Sequence, residues 1–258
     1  MSVLDSFSLK GRVALVTGGA GLYGRQIVAA LAEAGAKTFI ASRDLAALEK
    51  LAAQERRRGL DVEALSFDQS NETAILALRD TIYDKAGRVD VLVNNAVLRP
   101  MKSWSDPAAH WEKSLQVNAT GLFLITRAFG DKMAEAGRGS IINIGSIYGV
   151  VGPDFWLYEE VGWPQPPDYW FNKGGMQNFT RFAAAHYGPR GVRCNIVNPG
   201  GYFNDHDERF LKRYVQRVFL GRMANDTDLK GIIVFLASDA SAYVTGAVIA
   251  VDGGLTAK

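Results

Sequence analysis

Short apolar runs alternate with helically spaced segments from one end of this 258-residue chain to the other, and that alternation leaves few folds open. The runs at 12–17 (RVALVT), 37–42 (KTFIAS), 62–67, 89–94, 140–145, 192–198 and 247–251 are short, often β-branched and apolar almost throughout. Segments 22–35, 45–58, 71–86, 107–136, 169–187 and 226–238 carry helical spacing instead, with Asp44 placed as a cap for the second. Strands apolar on both faces and separated by helices predict one parallel sheet covered on both sides, joined by right-handed crossovers. No internal repeat or linker interrupts the series, so a single domain spanning residues 1–258 is expected.

Composition narrows the partners. A formal net charge of +2 gives no drive toward nucleic acid or a membrane surface, and no apolar run is long enough to span a bilayer. Cys194 is the only cysteine and falls in a predicted strand, where an inert core thiol is expected. The first ten residues lack the apolar run of a secretory signal, and a cytoplasmic location is the expectation. The three histidines have no metal-ligand spacing, so no metal is predicted; His110 and His186 read as structural, and His206 is the one placed to touch a substrate.

Between the first strand and first helix lies Thr17-Gly18-Gly19-Ala20-Gly21-Leu22-Tyr23-Gly24, in which Gly19, Gly21 and Gly24 fit G-x-G-x-x-G. Glycine suits that place because the backbone must turn tightly and let a pyrophosphate approach a helix N-terminus. At the end of the second strand an acidic residue would chelate the ribose hydroxyls of NAD. Ser42-Arg43 stands there instead and suits a 2′-phosphate, which favours NADP(H) over NAD(H). Tyr169 and Lys173 open a predicted helix on one face. A free phenol ionises near ~10, and a neighbouring ammonium brings that value down.

Taken in order, Thr17–Gly24, Asp68, Asn94-Asn95-Ala96, Asn118, Ser146, Tyr169/Lys173, Asn198-Pro199-Gly200 and Asp252-Gly253-Gly254 resemble the short-chain dehydrogenase/reductase family along essentially the whole chain. The resemblance implies an α/β fold with a Rossmann-like, doubly wound parallel sheet of about seven strands and helices on both faces. It implies hydride exchange between a nicotinamide dinucleotide and a small alcohol or carbonyl substrate. Tyr169 would be the general acid or base, and Lys173 would lower its pKa and bind the nicotinamide ribose. Ser146 would hydrogen-bond the substrate oxygen, and Asn118 would hold a relay water. Gly18, Gly19, Gly21, Leu22, Tyr23, Gly24, Ser42, Arg43, Asp68, Gln69, Asn95, Ala96, Val97, Pro199, Gly200, Tyr202 and Asn204 would line the cofactor. A homotetramer or homodimer is implied, with the 107–136 and 169–187 helices at one interface and the C-terminal strand near another.

The chain departs from the family pattern in places. Leu22 and Val97 stand where glycine is usual, and Asn204 replaces a hydroxyl residue. The glycine turn lacks the basic residue of many NADP-preferring members, and its Gly18, Gly21, Gly24 spacing is that of a larger sugar-nucleotide branch. Ser146 and Tyr169 are 23 positions apart, wider than the family usually shows. The excess is an irregular stretch, 151–168, rich in proline and aromatic residues, expected to shape the substrate site; an oligomer contact or a flap packing its own aromatics is its alternative. Trp156, Trp163 and Trp170 could line a ring pocket. Asp154, Glu159, Glu160 and Asp168 could meet substrate hydroxyls, with solvent exposure the simpler reading. Segment 201–220 reads as a lid, or as an ordinary solvated helix pair. These features lean toward a sugar, polyol or sugar-acid substrate. An aliphatic or cyclic ketone, a 3-oxoacyl thioester, or a nonenzymatic dinucleotide sensor are the alternatives. A sugar-nucleotide epimerase would be expected to carry further sequence after residue 254.

Overall fold

The computed structural model of the chain describes residues 2–162 and 166–257. Seven strands, β1 (Val13–Thr17), β2 (Lys37–Ser42), β3 (Val62–Ser66), β4 (Val91–Asn94), β5 (Gly139–Ile144), β6 (Val192–Pro199) and β7 (Val248–Val251), form one sheet in the order β3-β2-β1-β4-β5-β6-β7. Every pairing is parallel. The helices are α1 (Leu22–Glu33), α2 (Leu45–Arg57), α3 (Glu72–Ala86), α4 (Ala108–Leu115), α5 (Gly121–Glu135), α6 (Pro167–Tyr187), α7 (Glu208–Arg217) and α8 (Lys230–Ala237).

Side chains alternate across a strand, so consecutive residues serve opposite faces. Val16 and Ile40 pack with Ile27, Leu31, Leu48 and Ile233 from α1, α2 and α8. Leu15 and Phe39 pack with Ile75, Ile125, Phe129 and Ala183 from α3, α5 and α6. The sheet is thus doubly wound, as the apolar strands predict. Local chemistry sets the helix starts: Asp44 caps α2 by accepting from Ala47 N at 2.9 Å, and Asn71 caps α3 from Ala74 N at 3.1 Å. Pro167 occupies the first position of α6, where its missing N–H costs nothing. Cys194 is fully buried and burial pushes its thiol up to about 12, in keeping with an inert core residue.

Three segments differ from the sequence reading. The long 107–136 helix is broken by a π-helical turn, Gln116–Thr120, between α4 and α5. Residues 226–229 form a turn, in which Asn225 accepts from Thr227 and Asp228 from Asn225, so α8 starts later than its apolar pattern suggests. The 151–168 stretch contains a short 3₁₀ helix, Phe155–Tyr158, whose Leu157 and Tyr158 are buried against Phe210, Tyr214 and Met223. It packs on the 201–220 segment, and that segment holds one helix, α7, where a pair was the alternative. Trp163 and Pro164 lie outside the described residues. Among the described residues, no helix is long and apolar enough to cross a membrane.

Candidate active site

From β1 the chain winds outward through β2 and β3, then crosses back to β4, so the loops after β1 and β4 part at the carboxyl edge of the sheet. A cleft of about 580 Å³ opens there. Asn95 joins its two sides: its side-chain amide donates to the carbonyls of Thr17 (3.1 Å) and Gly18 (2.9 Å). The Thr17 hydroxyl accepts in return from the N–H groups of Asn95 and Ala96. Gly18 has φ +66°, and a side chain there would come within 2.9 Å of Ala96 Cα. One on Gly24 would fall on the carbonyls of Gly18 and Gly19. Glycine at 18 and 24 therefore lets the turn close on itself and against the loop after β4. Gly21 begins α1 without a side-chain cap, leaving first-turn N–H groups for an anion. This donor set fits a dinucleotide pyrophosphate.

Gly18, Gly21, Leu22, Tyr23 and Gly24 line one side of the cleft, with Ser42 at its β2 end. Ala96, Val97, Pro199, Gly200, Tyr202 and Asn204 line the rest of its length, and the Tyr23 hydroxyl donates across it to Gly200 O at 2.7 Å. Other expected contacts lie outside this lining. Gly19 packs under the turn against Ile40, and Gln69 is buried with its amide donating to Val117 O. Arg43 is exposed. Asp68 lies near it: hydrogen bonds from Ser70, and more weakly the Arg43 charge, hold the Asp68 carboxyl below its usual range.

At the far end β5 delivers Ser146 and α6 delivers Tyr169 and Lys173 to the same cavity. Lys173 Nζ donates to Ile144 O at 2.5 Å and lies 5.7 Å from the Tyr169 ring centre. Burial alone would raise the Tyr169 pKa; the charges of Lys173 and Arg99, with hydrogen bonds from Ser146 and Arg99, outweigh it and hold the phenol below its ordinary value. Burial likewise lowers the Lys173 pKa, partly offset by Tyr169 and reinforced by Arg99. Asn118 sits in the π-helical turn. Its side chain accepts from Leu98 N at 2.9 Å and donates to Leu98 O at 2.7 Å. Beside it is a cavity of about 10 Å³, lined also by Tyr169, Lys173 and Asn172, with room for about one water. Gln69 Oε1, Asn94 Oδ1 and Asn172 Oδ1 are buried without partners, and all three residues line it.

A family model described as Enoyl-(Acyl carrier protein) reductase matches residues 21–256. The chain belongs to the short-chain dehydrogenase/reductase family. Among its relatives, a cyclopentanol dehydrogenase of Comamonas testosteroni is 32% identical, covering 96% of this chain and 98% of that one. A galactitol 2-dehydrogenase (L-tagatose-forming) of Cereibacter sphaeroides is 33% identical, covering 97% of each. The solved structure of a gluconate 5-dehydrogenase from Burkholderia cenocepacia, in complex with NADP and tartrate, superposes over 100% of both chains with a TM-score of 0.90 at 30% identity.

In this dehydrogenase/reductase several site residues had no motif to announce them. Arg99 lines the cleft with its guanidinium 4.3 Å from the Tyr169 ring centre. The only signal for it was a charge in the loop that follows Asn94-Asn95-Ala96. Asn198 accepts from Ser146 N (3.1 Å) and from Gln177 Nε2 (3.0 Å), and Gln177 also donates to Lys173 O, so the Ser146 and Lys173 backbones are held in one network. Trp170 stacks on Tyr148 at 4.3 Å, and both line the cleft; Tyr158 from the 151–168 stretch shares a hydrogen bond with Tyr148. Trp156 instead lies under Arg213 and Arg217, away from the cleft lining. The carboxylates of that stretch do not reach the cleft either. Asp154 pairs with Arg217, and Glu159 and Glu160 pair with Arg213. Asp168, for which exposure was the simpler expectation, is wholly buried, because α6 turns it inward.

Proposed function

We propose that this chain interconverts a secondary alcohol and a ketone on a sugar, polyol or sugar acid, with NADP(H) preferred to NAD(H). The observation that carries the reading is a Tyr169 phenol held acidic between Lys173 and Arg99, beside the Ser146 hydroxyl, at the end of a glycine-floored cleft. When bound, the nicotinamide supplies or accepts the hydride. The chain's own residues handle the oxygen and its proton. In oxidation the Tyr169 phenolate takes the proton from the alcohol while Ser146 orients the same oxygen; in reduction Tyr169 returns a proton to the forming alkoxide. Lys173 keeps the phenolate accessible at moderate pH. The cavity beside Asn118 and Lys173 is a place for a water that would pass the proton onward.

Ser42 and the exposed Arg43, near Asp68, support the NADP preference. The aromatic wall of Tyr148 and Trp170, and relatives named for polyols and gluconate, support the substrate class. Phe123 on α5 and Phe171 and Phe182 on α6 are 45%, 58% and 66% exposed, and support a homotetramer or homodimer through those helices. The decisive experiment is Tyr169→Phe, assayed by nicotinamide absorbance on a panel of polyols, aldonates and their ketones. Turnover should fall at least ~100-fold, the scale of a lost general acid or base. NADPH binding, followed by tryptophan fluorescence, should persist. A variant that keeps its turnover refutes the mechanism.

A further inference from the structure

The charge balance at the substrate end of the cleft is one-sided. Arg99, Lys173 and His206 line it, while no Asp or Glu among the described residues does. Lys173 has a role beside the Tyr169 phenol. Arg99 shares that role through its charge and one hydrogen bond, but a guanidinium has donors to spare, and no ion pair found among the described residues includes it, whereas Arg213 and Arg217 are both tied to carboxylates. Its side chain is exposed and rests on the face of Tyr169. The backbone just before it is fixed, because Asn118 holds both the N–H and the carbonyl of Leu98. A guanidinium is therefore presented from a rigid root, beside the reacting oxygen's partners, in a wall with no negative charge of its own.

We propose that Arg99 binds a carboxylate on the substrate, so that the site selects a polyhydroxy acid over the neutral polyol of the same skeleton. This rests on the hydride-transfer reading above. A guanidinium forks onto either anion, but a carboxylate is favoured over a phosphoryl group because the single Arg99 charge matches a monoanion, whereas a dianion would leave a charge unmatched. The guanidinium's position over Tyr169 places that carboxylate within a few carbons of the reacting carbinol.

The test separates anion selection from catalysis. Aldonates and alditols of equal length, from glycerate and glycerol to gluconate and glucitol, are titrated into the NADPH complex, and binding is read by tryptophan fluorescence. The wild-type chain should bind at least one acid roughly 10- to 100-fold more tightly than its neutral partner, the scale of a charged hydrogen-bonded pair. That ratio should fall with added salt, collapse toward one in Arg99→Gln, and recover in part in Arg99→Lys, which restores charge without the fork. Arg99 is exposed, so the variants should fold, which circular dichroism checks. The inference is overturned if no acid in the panel outbinds its neutral partner, or if Arg99→Gln keeps the preference. Hydride transfer is recorded separately on the same panel. Selective acid binding without transfer leaves the inference standing and removes the proposed function; transfer with equal use of acid and polyol does the reverse.

Discussion

The phosphate-binding turn and the tyrosine–lysine pair could be read from residues close together in the chain. Gly18 to Gly24 is one contiguous turn, and Tyr169 and Lys173 are a single helical turn apart, so backbone geometry alone brings them into place. Arg43 is the residue on which cofactor choice should depend. Arg43→Ala should weaken NADPH roughly 10- to 100-fold, the scale of a lost charged hydrogen bond, and leave NADH nearly unchanged. Parallel fluorescence titrations with the two cofactors check this; an equal loss for both would make Arg43 a general contributor. Arg99 and the Asn198–Gln177 link were not legible in the same way. Each depends on partners 21 to 70 positions away, such as Asn198 with Gln177 or Arg99 with Tyr169, and no local spacing encodes them.

At the scale of elements, strand positions followed from apolar runs because the central strands, β1 and β4 among them, are buried along their whole length and so had to be largely apolar. The 151–168 stretch resisted that reading because it is held by α7 and not by a period of its own. Arg213 lies over Trp156 and pairs with Glu159 and Glu160, while Arg217 covers the same ring and pairs with Asp154. The two segments therefore form one cover, with Tyr158 and Phe210 beneath it in the cleft wall. Arg213→Ala should raise the substrate KM several-fold, keep NADPH affinity, and cost about 1–2 kcal/mol of stability, since exposed ion pairs contribute little and the cation–π contact somewhat more. Steady-state kinetics and thermal melts read both. High salt should reproduce the KM change in the wild type and add little in the variant. An unchanged KM would mean that the clamp is structural only.

For the whole molecule, the order of the strands was not written in any one of them. It follows from the crossovers, and it places the switch between β1 and β4 where Asn95 joins both loops. The outer surface carries a further expectation. Phe182 is 66% exposed on α6, on the same helix face as the exposed Phe171 three turns earlier, and such a shared apolar face supports contact with a second copy. Phe182→Glu should lower the sedimentation mass from tetramer or dimer toward monomer at micromolar protein, with the fold kept. A wild-type chain that already sediments as a monomer would remove the assembly proposal.

The grip of Asn118 on Leu98 has a consequence for how such a chain changes over generations. Both bonds are made to main-chain atoms, which any residue at 98 except proline would supply, and neither involves the side chain at 99. The anchor that steadies the proton machinery is thus indifferent to the identity of the group that faces the substrate. A codon change at 99 would therefore leave the loop in place while it retunes the acidity of Tyr169, which the Arg99 charge and hydrogen bond help to lower, so any shift in specificity there brings a shift in pH dependence with it.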